Sequence, residues 1–216
     1  LIGDNRLNFL AVCESWIAED APDAIKKDIA PSNYLVLHTH RSRETSRSKK
    51  GGGLALIYNN NLTARLLKIS FVPTSFELQL VNIQVSHNTV KVANVYRPPM
   101  CSKVTFLDEF AEILTLMARG VSEKLIICGD FNMPGENINS IDDRLSSLLD
   151  VHGYQQHVNE PTRGNSLLDL LITPITSSPL QQLVSNVTVV GSYELSDHNL
   201  VVGDLSLLRN KPAAIS

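Results

Sequence analysis

Several apolar stretches of this 216-residue sequence end abruptly on side chains that bind cations or move protons. "FLAVCESW" runs into Glu14, "LIICGDFN" into Asp130 and Asn132, "SLLDLLIT" carries Asp169, and "YELSDHNLVV" sets Asp197 beside His198. A carboxylate at the end of a buried strand is costly to desolvate unless a positive or hydrogen-bonding partner receives it. One such residue has a simple explanation as a turn or helix cap. Four segments doing so together point to convergence on one pocket lined by oxygens, with an imidazole at its side. Hard oxygen donors select Mg2+ or Mn2+ over zinc, and such ions keep waters while leaning on one or two carboxylates and a substrate phosphate. Phosphoester hydrolysis fits that set. A carboxylate orients or deprotonates water, a carboxamide such as Asn132 donates to a phosphoryl oxygen, and a histidine stabilises charge developing at phosphorus.

The elements that must position these groups are legible as apolar runs rich in Val, Ile and Leu. They include "NFLAVCE", "YLVLHT", "GLALIY", "FELQLVNIQV", "TVKVANVY", "KLIICGD", "DLLIT" and "LVVGDLSLL", with turn chemistry at 59–61, 86–88 and Pro98–Pro99. "SHNT" between two long runs reads as a hairpin turn. A helix is predicted over 103–118, with Phe106, Phe110, Ile113, Leu114 and Met117 on one face, Thr105 and Asp108 as a capping box, and Gly120 as its stop. A second is predicted over 141–152, with Leu145, Leu148, Leu149 and His152 at helical spacing before Gly153. Residues 1–6 read as the tail of a third. Hairpins mixed with strand–helix–strand stretches imply an α/β protein with mixed sheets.

Composition is that of an ordinary globular protein, with 43% hydrophobic and 19% charged residues and a net charge of −3. That balance argues against coating nucleic acid through bulk charge, though a local basic surface remains compatible with it. Cys13, Cys101 and Cys128 are odd in number and read as free thiols in a reducing compartment. No apolar run approaches the roughly 20 residues that cross a bilayer, so no membrane association is expected. Residues 40–53, "HRSRETSRSKKGGG", hold five basic residues and one acid between Arg41 and Lys50. They read as a solvated loop that could also face nucleic acid. One domain over 1–216 is expected, and the start without Met suggests a piece of a longer protein.

"GDFN", "SDH" and an upstream Glu at the end of an apolar strand resemble the endonuclease/exonuclease/phosphatase superfamily. "CESWI", "GGGLALIY", "ANVYRPP", "EPTRGNSLLDLLIT" and "LSDHNLVV" look most like the endonuclease domain of LINE-type, non-LTR retrotransposons, and the resemblance runs along nearly the whole chain in order. It implies a two-sheet α/β sandwich similar to deoxyribonuclease I, with mixed, largely antiparallel sheets face to face and helices outside. It also implies a Mg2+-dependent endonuclease, Mn2+ being an alternative, that nicks one strand of duplex DNA. The nick leaves a 3′-hydroxyl, and a reverse transcriptase domain elsewhere in the parent polyprotein primes from it. By resemblance, Glu14 and Asp197 are metal ligands and Asp130 positions or activates the attacking water. Asn132 holds the phosphate and that aspartate, His198 contacts the scissile phosphate, and Asp169 pairs with the imidazole. Tyr96 contacts the phosphate, Arg97 assists on the DNA backbone, and Ser196 supports the turn carrying Asp197 and His198 and lies at the substrate. The family's first strand, which carries an active-site asparagine, is missing, so the domain is expected to be N-terminally truncated. A chromosomal substrate implies an intracellular protein with nuclear access. The alternatives are an abasic-site or phosphatase-type phosphoesterase of the same superfamily, and a non-catalytic remnant that binds nucleic acid or protein.

Overall fold

The computed structural model describes residues 2–41, 51–118, 124–177, 181–191 and 196–207. The basic stretch read as a solvated loop able to face nucleic acid lies, over 42–50, outside the described residues, as does Gly120. Chain order is β1 (Phe9–Cys13), α1 (Asp23–Asp28), β2 (Tyr34–Thr39), β3 (Leu54–Asn59), β4 (Thr63–Leu66), β5 (Glu77–Val85), β6 (Asn88–Tyr96), α2 (Lys103–Ala118), β7 (Lys124–Asp130), α3 (Asp143–Val151), β8 (Tyr154–Gln156), β9 (Asp169–Pro174), β10 (Val184–Val190) and β11 (Leu200–Leu205).

β5 and β6 form a long hairpin because Ser86 and His87 close a two-residue turn, with Val85 opposite Asn88 and Ser86 at φ 53°. β6 and β7 run parallel, which requires a crossover, and α2 supplies it. The remaining pairs of this six-stranded sheet, in the order β4-β5-β6-β7-β9-β8, are antiparallel. Its central strands send apolar residues to cores on both faces, most continuously in β7, while β5 and β6 interleave them with polar residues such as Gln79, Asn82, Lys91 and Asn94. Leu80, Ala93, Val95, Leu125, Ile127, Leu170 and Ile172 pack under α2 and α3 through Phe106, Phe110, Ile113, Leu145 and Leu149. Val81, Ile83, Val90, Val92 and Ile126 point the other way, against Leu56 of β3 and Leu183 and Val184 near β10.

The fold is the expected mixed α/β sandwich with helices outside, but the second layer comes in two pieces. One is a three-stranded sheet, β1-β3-β2, and the other a two-stranded ribbon, β10–β11. Two buried carboxamides fasten the three-stranded piece to the larger sheet. Asn94 Nδ2 donates to the Val12 carbonyl at 3.1 Å, and Gln79 Nε2 to the Leu37 carbonyl at 3.0 Å. The cysteines are unpaired, and burial pushes the Cys13 and Cys128 thiols up, which suits packing rather than reactivity. Among the described residues, no helix is long and apolar enough to cross a membrane.

Three local expectations are corrected. Residues 2–6 form turns rather than a helix tail, with Arg6 N bonded to the Gly3 carbonyl at 3.1 Å, because Gly3, Asp4 and Asn5 favour turn geometry. α2 is capped by Ser102, whose Oγ accepts from Thr105 N at 3.2 Å, not by Thr105 with Asp108. α3 begins two residues later than its apolar spacing implies, because Asp142 caps it and accepts from Arg144 N at 3.1 Å.

Asp142 also bonds the Arg144 guanidinium and, at 3.0 Å, Lys103 Nζ at the start of α2. The bond from Arg144, followed by that from Lys103, holds its carboxyl well below the usual carboxylate range. Asp142→Ala is therefore expected to cost about 1 kcal/mol at pH 7 by urea denaturation, most of it the lost cap, since the cations are partly exposed. A depressed carboxylate stabilises the fold above its unfolded pKa of about 4 and loses that effect as pH falls through the lower folded value. The gap between variant and parent should accordingly narrow below about pH 4.

Candidate active site

Strand register builds the site. Across the six-stranded sheet, Val81, Val92 and Ile126 form one apolar cross-strand row. Two residues further along is the row Gln79, Asn94, Cys128 and Leu171, where buried amides replace hydrocarbon. The next row is Glu77, Tyr96, Asp130 and Asp169, one residue from each of β5, β6, β7 and β9, all on the same face. The face that forms the core between the layers thus becomes, at its rim, a line of ionisable groups.

Asp130 is 6% exposed. Gly129, at φ 128°, lets β7 pass Val95 closely, and Asn132 at φ 48° folds back so that its N–H donates to Asp130 Oδ1 at 3.0 Å and its Nδ2 to Oδ2 at 2.7 Å. Burial and the nearby Asp169 charge nonetheless push the Asp130 carboxyl up to about 7, against the opposing pull of His198 and Asn132. His198 Nδ1 donates to Asp169 Oδ2 at 2.8 Å, a bond that raises the imidazole pKa above its ordinary value despite burial. Ser196 Oγ accepts from His198 N at 3.0 Å and shapes the turn that presents the ring. The ligand atoms of Asp130, Asp169 and His198 lie within 4.8 Å of one another, the single such group among the described residues.

Glu14 follows β1 at φ 54°, a left-handed conformation that is unfavourable for a residue with a side chain. Its neighbours hold it there: Ser15 N and Trp16 N donate to the Gly53 and Gly52 carbonyls, each at 2.9 Å. Tyr96 OH donates to Glu14 Oε1 at 2.6 Å, and burial together with this bond raises the phenol pKa, keeping it a protonated donor.

Glu14, Tyr96, Asp130, Asn132, Asp169, Ser196, Asp197 and His198 all line one cavity of about 890 Å³, which extends between β1 and β11. Asp197 lines that cavity bonded to Arg163, whose side-chain bond keeps its carboxyl low; like Glu14, the other expected metal ligand, it lies outside the three-group cluster. The placement of Arg97 differs from expectation. Arg97 is 1% exposed and turned inward, so it does not face DNA. Its guanidinium bonds the Asn132 and Cys101 carbonyls and lies 5.7 Å from the centroid of Phe106, because the chain between β6 and α2 wraps over it.

Other participants carry no obvious signal in the sequence. Thr162, fully buried, accepts from Leu168 N and Asp169 N at 3.1 and 3.0 Å through its hydroxyl. Its carbonyl accepts from Asn199 N, so one residue ties the start of β9 to the turn holding His198. Glu77, in a strand where polar and apolar residues alternate, ends the ionisable row. Trp16 is 69% exposed at the cavity rim.

Residues 90–202, more than half of the chain, match the family described as endonuclease-reverse transcriptase. No curated protein matches the sequence. Among solved structures, the endonuclease domain of TRAS1, a telomere-specific non-LTR retrotransposon, is similar at 15% identity and a TM-score of 0.67, over 96% of this chain and 90% of that one. A 3′ phosphatase, NExo, from Neisseria bound to a product DNA hairpin is similar at 17% identity and 0.61, over 96% and 92%. A mannosyl-6-phosphatase of Bacteroides thetaiotaomicron is similar at 12% and 0.60, over 95% and 88%. At these identities the likeness is one of fold, shared by enzymes that cut quite different phosphoesters. With the family match and the strand-end carboxylates taken together, the chain belongs to the endonuclease-reverse transcriptase family, within the endonuclease/exonuclease/phosphatase superfamily of hydrolytic phosphoesterases.

Proposed function

We propose that this chain is a divalent-cation-dependent endonuclease that nicks one strand of duplex DNA and leaves a 3′-hydroxyl. In the parent polypeptide, a reverse transcriptase domain would extend that end. The observation that carries the reading is the meeting of three bonded pairs, Asp130–Asn132, Asp169–His198 and Glu14–Tyr96, on one cavity. Enzymes of this superfamily use divalent metal ions, and the donors fit one: the carboxylates of Asp130 and Asp169 with ligand atoms within 4.8 Å, a third carboxylate, Glu14, on the same cavity, and a buried Asp130 whose charge is incompletely neutralised. Glu14 and the carboxylate oxygens of the cluster would hold Mg2+ or Mn2+, which when bound supplies charge neutralisation at the phosphate.

The chain's own groups divide the rest of the work. Asp130, held at both oxygens by Asn132, orients a water for in-line attack at phosphorus and takes its proton. His198 spends Nδ1 on Asp169, which fixes the ring and favours the imidazolium, leaving Nε2–H for a phosphoryl oxygen in the transition state. Tyr96, kept protonated, gives its one O–H to Glu14 and orients that carboxylate at the edge of the phosphate site. The bond from phosphorus to the 3′-oxygen breaks, so the new ends are a 3′-hydroxyl and a 5′-phosphate. With a net charge of −3, DNA must be held by local contacts, and binding should weaken with salt. Acting on chromosomal DNA would require entry to the nucleus.

Supercoiled plasmid tests this directly. With Mg2+ the protein is expected to convert it to open circles whose ends a DNA polymerase extends without prior phosphatase treatment. Excess EDTA, or His198→Ala, should abolish conversion. The likeness to phosphatases favours a second reading, in which phosphate is released from phosphomonoesters with no nicking. Neither activity with Mg2+ or Mn2+ would sink both readings and leave a binding protein without catalysis.

A further inference from the structure

Glu77 and Arg41 belong to none of the roles assigned so far, yet they bond each other and touch, from two sides, the groups that hold Glu14. Their side chains are 16% and 12% exposed. Glu77 Oε1 accepts from Arg41 Nε, and Oε2 accepts from Gly53 N at 2.7 Å. From there two arms run to the same carboxylate. The first is backbone: the Gly53 and Gly52 carbonyls accept from Ser15 N and Trp16 N, the residues after Glu14, and hold it in its left-handed conformation. The second is side chain: Arg41 lies with its guanidinium carbon 5.7 Å from the centre of the Tyr96 ring, and Tyr96 OH bonds Glu14 Oε1.

The glycines are part of this device. Gly51, Gly52 and Gly53 all have φ between 76° and 84°, and a Cβ on Gly52 would fall 2.1 Å from Arg41 Nε. The loop can therefore lie flat on the guanidinium only if it lacks side chains. A buried ion pair is by itself weak evidence for stability, because apolar replacements of similar volume are often as stable. What distinguishes this one is its address, at the end of the cross-strand row Glu77, Tyr96, Asp130 and Asp169.

We propose that Glu77 and Arg41 form a positioning clamp that sets the backbone and side chain of Glu14, and thereby the affinity of the site for its divalent cation. The proposal rests on the reading that this cavity holds such a cation. Neither residue touches substrate; both act through Glu14. Partners that orient metal ligands typically contribute about 10- to 100-fold in metal affinity or activity.

Trp16, the only tryptophan in the chain, adjoins the site and provides a readout independent of catalysis. Mn2+ is titrated into the metal-free full chain, without DNA, and binding is followed by quenching of Trp16 fluorescence. Circular dichroism reports folding, and nicking is measured against Mg2+ concentration. Glu77→Ala removes both arms, whereas Glu77→Gln keeps an oxygen for Gly53 N–H and loses the charge that holds Arg41. Glu77→Ala is expected to raise the Mn2+ dissociation constant about 10- to 100-fold and the Mg2+ concentration for half-maximal nicking in parallel. The rate at saturating Mg2+ should stay within a few fold of the parent, with Glu77→Gln between the two. Parental Mn2+ affinity in both variants would overturn the clamp while leaving the endonuclease reading intact. So would a Glu77→Ala chain that fails to fold beside a Glu77→Gln chain of parental affinity. Absence of Mn2+ or Mg2+ binding by the unaltered chain would overturn the cation reading, and the clamp with it.

Discussion

Replacing Asp130 with asparagine is expected to lower plasmid nicking by about 10³-fold, because the carboxamide keeps the volume but cannot take a proton from water. The same variant should carry a second signature in the metal-free protein. Burial first, and the Asp169 charge second, push the Asp130 carboxyl up to about 7. A carboxyl whose folded pKa lies above its unfolded value of about 4 keeps a proton that the unfolded chain has released. Stability contributed by that group is therefore lost as pH rises from about 4 towards 7. His198, raised by Asp169, adds a fall of the same sign: its contribution is complete below the ordinary histidine value and disappears as pH rises through the raised one. Urea denaturation of EDTA-treated protein at pH 5 and pH 7.5 should show the parent losing more stability over that interval than Asp130→Asn does. Equal losses would mean that Asp130 is better solvated than its place in the row indicates. A group that serves catalysis while working against the fold is a common arrangement in active sites.

The second large effect is expected at Gly129. Its φ of 128° already disfavours any side chain, and a Cβ built there would stand 2.0 Å from the Val95 carbonyl oxygen, its partner on β6. The neighbour is backbone in the middle of a parallel pair and cannot step aside without breaking the ladder. Gly129→Ala should cost about 3 kcal/mol or more, a drop of about 10 °C in melting temperature for a chain of this size. Gly164 separates strain from collision: it sits at φ 54° with nothing within 4 Å of a built Cβ. Gly164→Ala should cost only about 1 kcal/mol, and calorimetry of the two variants side by side checks the difference. Comparable losses would show that backbone conformation alone, rather than the approach to Val95, is what Gly129 provides.

The apolar runs from Phe9 to Cys13, Glu77 to Tyr96 and Lys124 to Asp130 announced themselves because each of those strands packs apolar side chains into a core. α2 and α3 were equally plain, since each turns one apolar stripe to the sheet. Elements that depend on context stayed hidden. β4 is a short, mostly exposed edge, β8 has three residues, and α1 buries none of its own. In β10 an irregularity between Ser185 and Thr188, with Asn186 at φ 50°, breaks the alternation that would have marked it. The site divides along the same line. Carboxylates that end buried strands are visible as interruptions of a hydrophobic pattern, which is how Glu14, Asp130 and Asp169 came to notice. Glu77 interrupts nothing, because an acid every second residue is what a half-solvated strand normally shows. The orientation of Arg97 depends on carbonyls brought near it by a loop, and the pairing of Asp197 with Arg163 joins segments far apart in sequence. No local pattern encodes either.

The turn at Ser86 and His87 lies at the far end of the hairpin from the reactive groups, eight ladder steps from Glu77 and Tyr96. At about 3.4 Å per residue this is about 27 Å away. It nevertheless acts as the ruler for the whole device. Adding one residue there and letting the ladder slide would bring a different neighbour opposite Tyr96 and turn one strand's set of side chains over to the helices. A short surface bend that touches no substrate thus carries the metrology of the catalytic edge, and its length is as constrained as the identity of the acids it aligns.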